Sequence, residues 1–324
     1  MALRGSLAAA LAAAVLAAIV TAVPAVGLSA LTVSGTELLH PPPHPEDLLP
    51  GYFADSTVSR IDYPAAIFGM DASLAVATAG IGTAVNDTLG PLIVAGFSQG
   101  AIAVAYAKQA LMSLPDDQRP GPERLTFLTI GDPSGPAGIL NALPFRVPVI
   151  GLTPFIAPPT PYASVIVNGE YDGWGDFPDR PWNLVSLANA LLGAVYVHGR
   201  YETVPGGLDL SAVPAANVST STNSLGGTTT SYLIPTVGLP LVQPLRDIGI
   251  PEPIVAAIEG PLKDMVDAGY ARHDAAAGVR TPRAVAGIRA EPRPARVVRQ
   301  PVSKPAAIGN AAQRRSQSRS SAVA

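Results

Sequence analysis

PLIVAGFSQGAIAVAYAKQALM, residues 91–112, decides the reading of this chain. Its first part, Pro91 to Gly96, is a short continuous apolar run, the pattern of a strand buried on both faces. From Ala101 the chain is alanine-rich with helical spacing as far as Leu114, where Pro115 stops it. Between the two sits Gly96-Phe97-Ser98-Gln99-Gly100, a G-x-S-x-G stretch in the strand–turn–helix setting that raises a serine on a sharp elbow. Such a turn forces the serine into a strained backbone, and small residues two places either side let strand and helix approach. The helix N-terminus behind the serine favours developing negative charge. Ser98 is therefore the candidate nucleophile; a plain strand-to-helix turn in a chain with 31 glycines is the competing reading.

The same scheme repeats outward from the elbow. LSALTVSG (28–35) is a β-branched run ending on glycine, and SGTELLHPPPHPED (34–47) follows it as a proline-rich loop. AIFGMDASLAVATAGIGTAVND (66–87) has helical spacing. RLTFLTIGDPSGPAG (124–138) and YASVIVNGEYDGWGDFPDRP (162–181) are each a strand that ends in a glycine loop. WNLVSLANALLGAVYVHGRY (182–201) opens as a helix and runs on to His198. Strands alternating with helices predict an α/β architecture, a mostly parallel central sheet with helices on both faces. In such sheets the working residues collect at the carboxyl ends of strands, here marked by Gly96, Gly131 and Gly169. Residues 204–235, poor in large apolar groups and rich in Ser, Thr, Gly and Asn at first, read as a lid, an insertion or a surface connection. Residues 250–272 read as a closing helical pair.

Composition bounds the rest. The 324 residues are 48% hydrophobic and only 14% charged, enough for a sizeable core and low for a cytosolic enzyme. The absence of cysteine excludes disulfides, thiolate nucleophiles and Cys-ligated metals, and four histidines make a His-rich metal site a poor expectation. Residues 1–26 open with Arg4 and run apolar from Leu7 to Val23, the layout of a secretory signal or a membrane anchor. The expected location is secreted or attached to the cell envelope. From Arg272 onward, 11 Arg and Lys face only Asp274 and Glu291, so a basic tail follows an acidic body. The Arg-Pro-Ala-Ser composition of 276–324 cannot bury a core and predicts disorder. Nothing here calls for nucleic acid.

A serine hydroxyl needs a base to take its proton and an acid to orient that base. The elbow turn calls for the chain order Ser…Asp/Glu…His. After Ser98 only His198 and His273 remain, and His273 falls at the edge of the low-complexity tail, so His198 is the candidate base. VIVNGEYDGWGDFPD offers Asp172, Asp176 and Asp179 as the acid. Asp172, just past a strand end, ranks first; Asp176, four residues on, is its rival; Asp132, at another strand end, comes well behind. The tetrahedral intermediate needs donors at its oxyanion. The Gln99 N–H is one candidate, and Thr36 in Ser34-Gly35-Thr36-Glu37 is the second. This chemistry requires neither metal nor organic cofactor.

GFSQGA, IGDPSGPAGIL, EYDGWGDFPDRPWN, VHGRY, SYLIPTVGLPLVQPLRDIGIPEP and DAGYAR, in that order, resemble the PE-PPE domain of mycobacterial proteins. The resemblance covers about residues 28–275. It implies an α/β-hydrolase fold, related in pattern to cutinases, and esterase or lipase-like activity on acyl esters. It carries the triad onto Ser98, His198 and an aspartate of EYDGWGDFP, leaving Asp172 and Asp176 both open. SGTE is similar to the Gly-Thr of the cutinase oxyanion loop. Two departures stand out: a hydrophobic leader lies where members often carry a PE or PPE module, and the cysteines that brace cutinases are missing. Acyl transfer to a sugar or lipid uses the same triad. A non-catalytic envelope-binding module on the same fold would lack a triad member, and none is missing.

Overall fold

The computed structural model describes residues 27–37, 41–142, 148–155 and 157–274. The leader at 1–26 and the tail at 276–324 lie outside them. Seven strands form one sheet in the order β2-β1-β3-β4-β5-β7-β6. They are β1 (Ser29–Val33), β2 (Thr57–Arg60), β3 (Leu92–Phe97), β4 (Leu125–Ile130), β5 (Ala163–Gly169), β6 (Val218–Thr222) and β7 (Thr228–Ile234). Neighbours pair in parallel except β6 with β7, which is antiparallel. The mostly parallel sheet expected from the sequence is present, and the fold is an α/β-hydrolase type.

The centre of the sheet explains why residues 92–97 read as unbroken apolar sequence: all six are buried, because both faces are covered. Leu92 and Val94 face α2 (Met70–Asp87) and α3 (Gln99–Met112), in one cluster with Leu74, Ile81, Ile102 and Val104. Ile93, Ala95 and Phe97 face the other side, with Leu48, Leu49, Phe53 and Tyr201. That second face is covered by the short helix α1 (Pro45–Leu48) and the 3-10 turn His198–Thr203. A third cluster joins Tyr171 and Val185, at the start of α4 (Leu184–Tyr196), to Leu239, to Val242 just before the short helix α5 (Gln243–Asp247), and to Val255 and Val266 of α6 (Glu252–Asp267). No helix among the described residues is long and apolar enough to cross a membrane.

Within 204–235, expected as a lid, an insertion or a surface connection, the structure forms regular strands. Residues 218–222 and 228–234 form a hairpin at the sheet edge, and β7 pairs with β5 from Ser164↔Thr229 to Gly169↔Ile234. Asn223 shapes the turn by accepting the N–H groups of Leu225 (2.8 Å) and Gly227 (3.3 Å), with Gly226 at φ +85°. The stretch looked like a loop because it is hydroxyl-rich. Threonine is β-branched, however, and an edge strand exposed on both faces needs no apolar alternation. The preceding segment packs down as well, the Leu208 N–H donating to the Leu48 carbonyl at 2.7 Å.

Candidate active site

Ser98 sits between β3 and α3 at φ +54°, ψ −116°, a left-handed backbone that costs a non-glycine residue about 1–3 kcal/mol. The turn is held by the Ser98 N–H donating to the Ile130 carbonyl (3.0 Å) and by the Ser98 carbonyl accepting from Ala101 (2.9 Å). The flanking glycines are required by contact. A Cβ on Gly96 would lie 2.3 Å from the Gly100 carbonyl oxygen, and one on Gly100 2.4 Å from that of Val33.

His198 begins the 3-10 turn that follows α4. Its ring stacks on Phe97 (centroids 5.3 Å apart, planes 19° apart) and meets the edge of Tyr201. Gly131, at φ +54°, leaves room for it, since a Cβ there would approach His198 Cε1 to 2.8 Å. His198 Nε2 lies 2.8 Å from Ser98 Oγ, and Nδ1 lies 2.9 and 3.1 Å from the two carboxylate oxygens of Asp172. In the tautomer this network calls for, Nδ1–H donates to Asp172 and Nε2 accepts the Ser98 hydroxyl proton.

Asp172 is fully buried. Besides the imidazole it accepts the Trp174 N–H on Oδ1 and the Tyr201 hydroxyl on Oδ2, each at 2.8 Å. Burial pushes its carboxyl up, but the imidazole charge and these hydrogen bonds outweigh it and hold the group below the ordinary aspartate range. A buried ionised carboxylate facing a histidine can stabilise the imidazolium that forms when the serine gives up its proton.

The other acids do different things. Asp176 accepts the Tyr171 N–H at 2.7 Å and pairs with Arg272 Nη1 at 2.8 Å. Burial pushes its carboxyl up to about 6 against the opposing pull of Arg272. Asp132 closes its own turn on the Ser134 N–H and hydroxyl (2.9 and 2.7 Å). Asp179 accepts the Ala271 N–H. His273 lies toward Asp267 and Glu170, at 3.5 and 4.0 Å.

Both oxyanion candidates line the cavity in front of Ser98. Gln99 opens α3, and its side chain donates to the Ala66 carbonyl at 3.1 Å. The Ser34–Glu37 loop passes against the nucleophile: a Cβ on Gly35 would sit 3.2 Å from that of Ser98. Tyr63 fixes the loop by donating its hydroxyl to the carbonyls of Ser34 (2.8 Å) and Gly35 (3.2 Å). The cavity measures about 260 Å³ and is walled by Ile67, Met70, Ile102, Ile150, Leu152 and Trp174, with Glu202 also on its lining.

Sequence reasoning missed three supporting residues. Tyr201 accepts the Gly169 N–H while donating to Asp172. Asn168, buried at the end of β5, accepts the Asp132 N–H and donates to the Gly175 carbonyl (3.0 and 2.7 Å), tying two strand-end loops together. Tyr63 is the third. The only signal for Tyr201 is its spacing, three residues after His198, which one turn of 3-10 helix brings to the same side.

Comparison with known proteins follows the same lines. A sequence model of the PE-PPE domain matches residues 54–271. The chain is 36% identical over 242 residues to the PPE family protein PPE63 of Mycobacterium tuberculosis, covering 70% of this chain and 48% of that protein. It is 38% identical over 204 residues to the esterase PE16 of the same organism, covering 62% and 37%. It is 34% identical over 250 residues to the diacyltrehalose acyltransferase Chp2, again from M. tuberculosis, covering 69% and 68%. The chain thus spans about half the length of PPE63 and two thirds of Chp2.

Proposed function

The chain belongs to the PE-PPE domain family, and on that premise we propose that it is a serine enzyme acting on acyl esters, with Ser98 as nucleophile, His198 as base and Asp172 as the orienting acid. One observation carries this reading: an unbroken relay of 2.8 and 2.9 Å from a strained serine through an imidazole to a buried carboxylate, at the wall of an apolar cavity. Names of the relatives, an esterase and an acyltransferase, support the same reaction class.

In this mechanism Ser98 Oγ attacks the ester carbonyl carbon while His198 Nε2 takes the hydroxyl proton. The carbonyl oxygen becomes an oxyanion and accepts from the Gln99 N–H and from Thr36. Collapse breaks the bond to the alkoxide, which leaves with the proton from His198. The acyl group stays on Ser98 with its chain against Ile67, Met70 and Ile102. Water, deprotonated by His198, then releases the acid and restores the serine. An alcohol in place of that water would give acyl transfer, a second reading favoured by the 34% identity to an acyltransferase. The arginine-led apolar leader of residues 1–26 supports a place outside the cytoplasm or on the envelope, where lipid or glycolipid esters are the substrates at hand.

The test compares hydrolysis of short and medium acyl esters by the full chain and by Ser98→Ala. Turnover and fluorophosphonate labelling are both expected to vanish in the variant; equal rates would overturn the proposal. Product analysis with a sugar or glycerol acceptor present separates hydrolysis from transfer.

A further inference from the structure

Two buried aspartates stand four residues apart in the loop after β5, and the one that misses the imidazole meets an arginine from the far end of the fold. We infer that Arg272, acting through Asp176, is a positioning residue that clamps this loop in the conformation where Asp172 reaches His198. The inference rests on the triad reading above and adds a residue to it.

The loop needs a clamp because it is strained where it matters. Tyr171, directly before Asp172, has φ +64°, a left-handed backbone that bulky side chains avoid. Such a conformation persists only when its surroundings over-determine it. Asp176 holds the strained turn at two points. Its Oδ2 accepts the Tyr171 N–H at 2.7 Å, and its own N–H donates to the Asp172 carbonyl at 2.8 Å.

The C-terminal stretch DAGYAR, residues 267–272, grips the same loop from outside. Arg272 Nη1 donates to Asp176 Oδ1 at 2.8 Å, and Nη2 lies 3.7 Å from Glu170. The guanidinium stands over the Tyr270 ring at 4.2 Å and over the Tyr171 ring at 5.5 Å. The Tyr171 hydroxyl donates to Asp267 at 2.6 Å and accepts from Lys263 at 2.8 Å. Glu170, Tyr171 and Asp176 are thus all held by side chains of residues 263–272. Asp176 is 4% exposed. Removing the guanidinium leaves a buried carboxylate without its counter-charge, which destabilises the loop and drives the carboxyl to take up a proton, and either way the ion pair that ties Asp176 to the 263–272 stretch is gone. If the loop relaxes and Tyr171 returns to an ordinary backbone, Asp172, the next residue, is carried away from Nδ1.

A pair that merely stabilises the fold would change the melting temperature and leave the site of the folded protein intact. A positioning pair changes kcat with little effect on KM and alters the low-field proton resonance of His198 Nδ1–H, which reports its hydrogen bond to Asp172 directly. The experiment measures both in the full chain, wild type against Arg272→Met, with p-nitrophenyl butyrate as substrate. The folded variant is expected to lose about tenfold or more in kcat, within the roughly hundredfold that a displacement near 1 Å can cost, and its resonance is expected to move upfield or broaden away. Wild-type kcat and resonance in folded Arg272→Met overturn the inference. Should that variant not fold, Asp176→Asn removes the ion pair while keeping an acceptor for the Tyr171 N–H, and the same two outcomes decide. Because the resonance is read on the free protein, a wild-type chain inactive on esters whose resonance disappears in Arg272→Met supports the clamp and overturns only the ester reading.

Discussion

The phenol of Tyr201 links the end of β5 to the carboxylate that faces His198: it accepts the Gly169 N–H and donates to Asp172 Oδ2 at 2.8 Å. Burial pushes this phenol far above the usual tyrosine range, so it is a donor at any working pH. Tyr201→Phe removes the donor from Asp172 and leaves the Gly169 N–H buried without its partner. The expected cost is about 1–3 kcal/mol of stability, read by urea denaturation. A kcat loss of about tenfold is expected beside it, far short of the roughly 10⁴-fold expected for Asp172→Asn, which removes the carboxylate itself. A Tyr201→Phe protein with unchanged stability and turnover would show that the phenol is idle.

The glycines around Ser98 and those in the helices differ in kind, and paired substitutions expose the difference. Gly82, inside α2, has open space where a Cβ would stand, with nothing beyond its chain neighbours and its own helix backbone within 4 Å, so Gly82→Ala is expected to stabilise by about 0.5–1 kcal/mol through helix propensity. Gly100, inside α3, faces the Val33 and Ser34 carbonyl oxygens: a Cβ there would lie 2.4 and 2.5 Å from them. Gly100→Ala must push α3 off the end of β1, at a cost of about 1–3 kcal/mol or more, and it shifts Ser98 from the Gly35 loop. Opposite signs in denaturant midpoints, with activity lost only in Gly100→Ala, are the expected result.

How far the site was legible follows from where its information lies. The elbow was legible because three local signals coincide at 91–112: a buried strand, a close-packed turn and a helix start. His198 was reached by elimination, since only two histidines follow Ser98. The choice between Asp172 and Asp176 was not legible, because both lie in the same glycine-turn segment. What separates them is the left-handed turn at Tyr171 and the contact of Asp176 with Arg272, 96 residues away. Local pattern carries no record of such pairings. The β6–β7 hairpin escaped for a different reason: Ser and Thr are turn formers by their hydroxyls and strand formers by their branching, and only pairing with β5 selects the second.

The raised carboxyl of Asp176 predicts an unusual acid response. In the folded chain it takes up its proton near pH 6, whereas in the unfolded chain it waits until about 3.8. Between these values the native state binds more protons than the unfolded state, so this group's contribution to stability grows as pH falls through 6 and is complete below 3.8. Asp172, held below the ordinary range, works the other way: its contribution is present above 3.8 and is lost at lower pH. The measurement is the melting temperature of wild type minus that of Asp176→Asn, taken from roughly pH 4 to roughly pH 8 so that the whole titration is covered. The difference is expected to rise as pH falls from about 7 to about 4; a flat difference would mean that Asp176 titrates normally.

The apolar wall of the cavity makes chain-length dependence the sharpest test of where the acyl group lies. Each methylene buried there gains about 0.8 kcal/mol, or about fourfold in kcat/KM while the chain still finds apolar wall. Ile67 is partly buried on that wall, beside Met70 and Ile150. Ile67→Trp fills space in front of Ser98 without touching the relay of Ser98, His198 and Asp172. Acetate esters are then expected to keep their kcat/KM, because a two-carbon acyl group stays at the serine, while the gain per methylene disappears for longer chains. Rates are read on a series of p-nitrophenyl esters of increasing length. If all of the esters lose activity in equal proportion, the acyl chain runs elsewhere and the substitution has acted on the elbow itself.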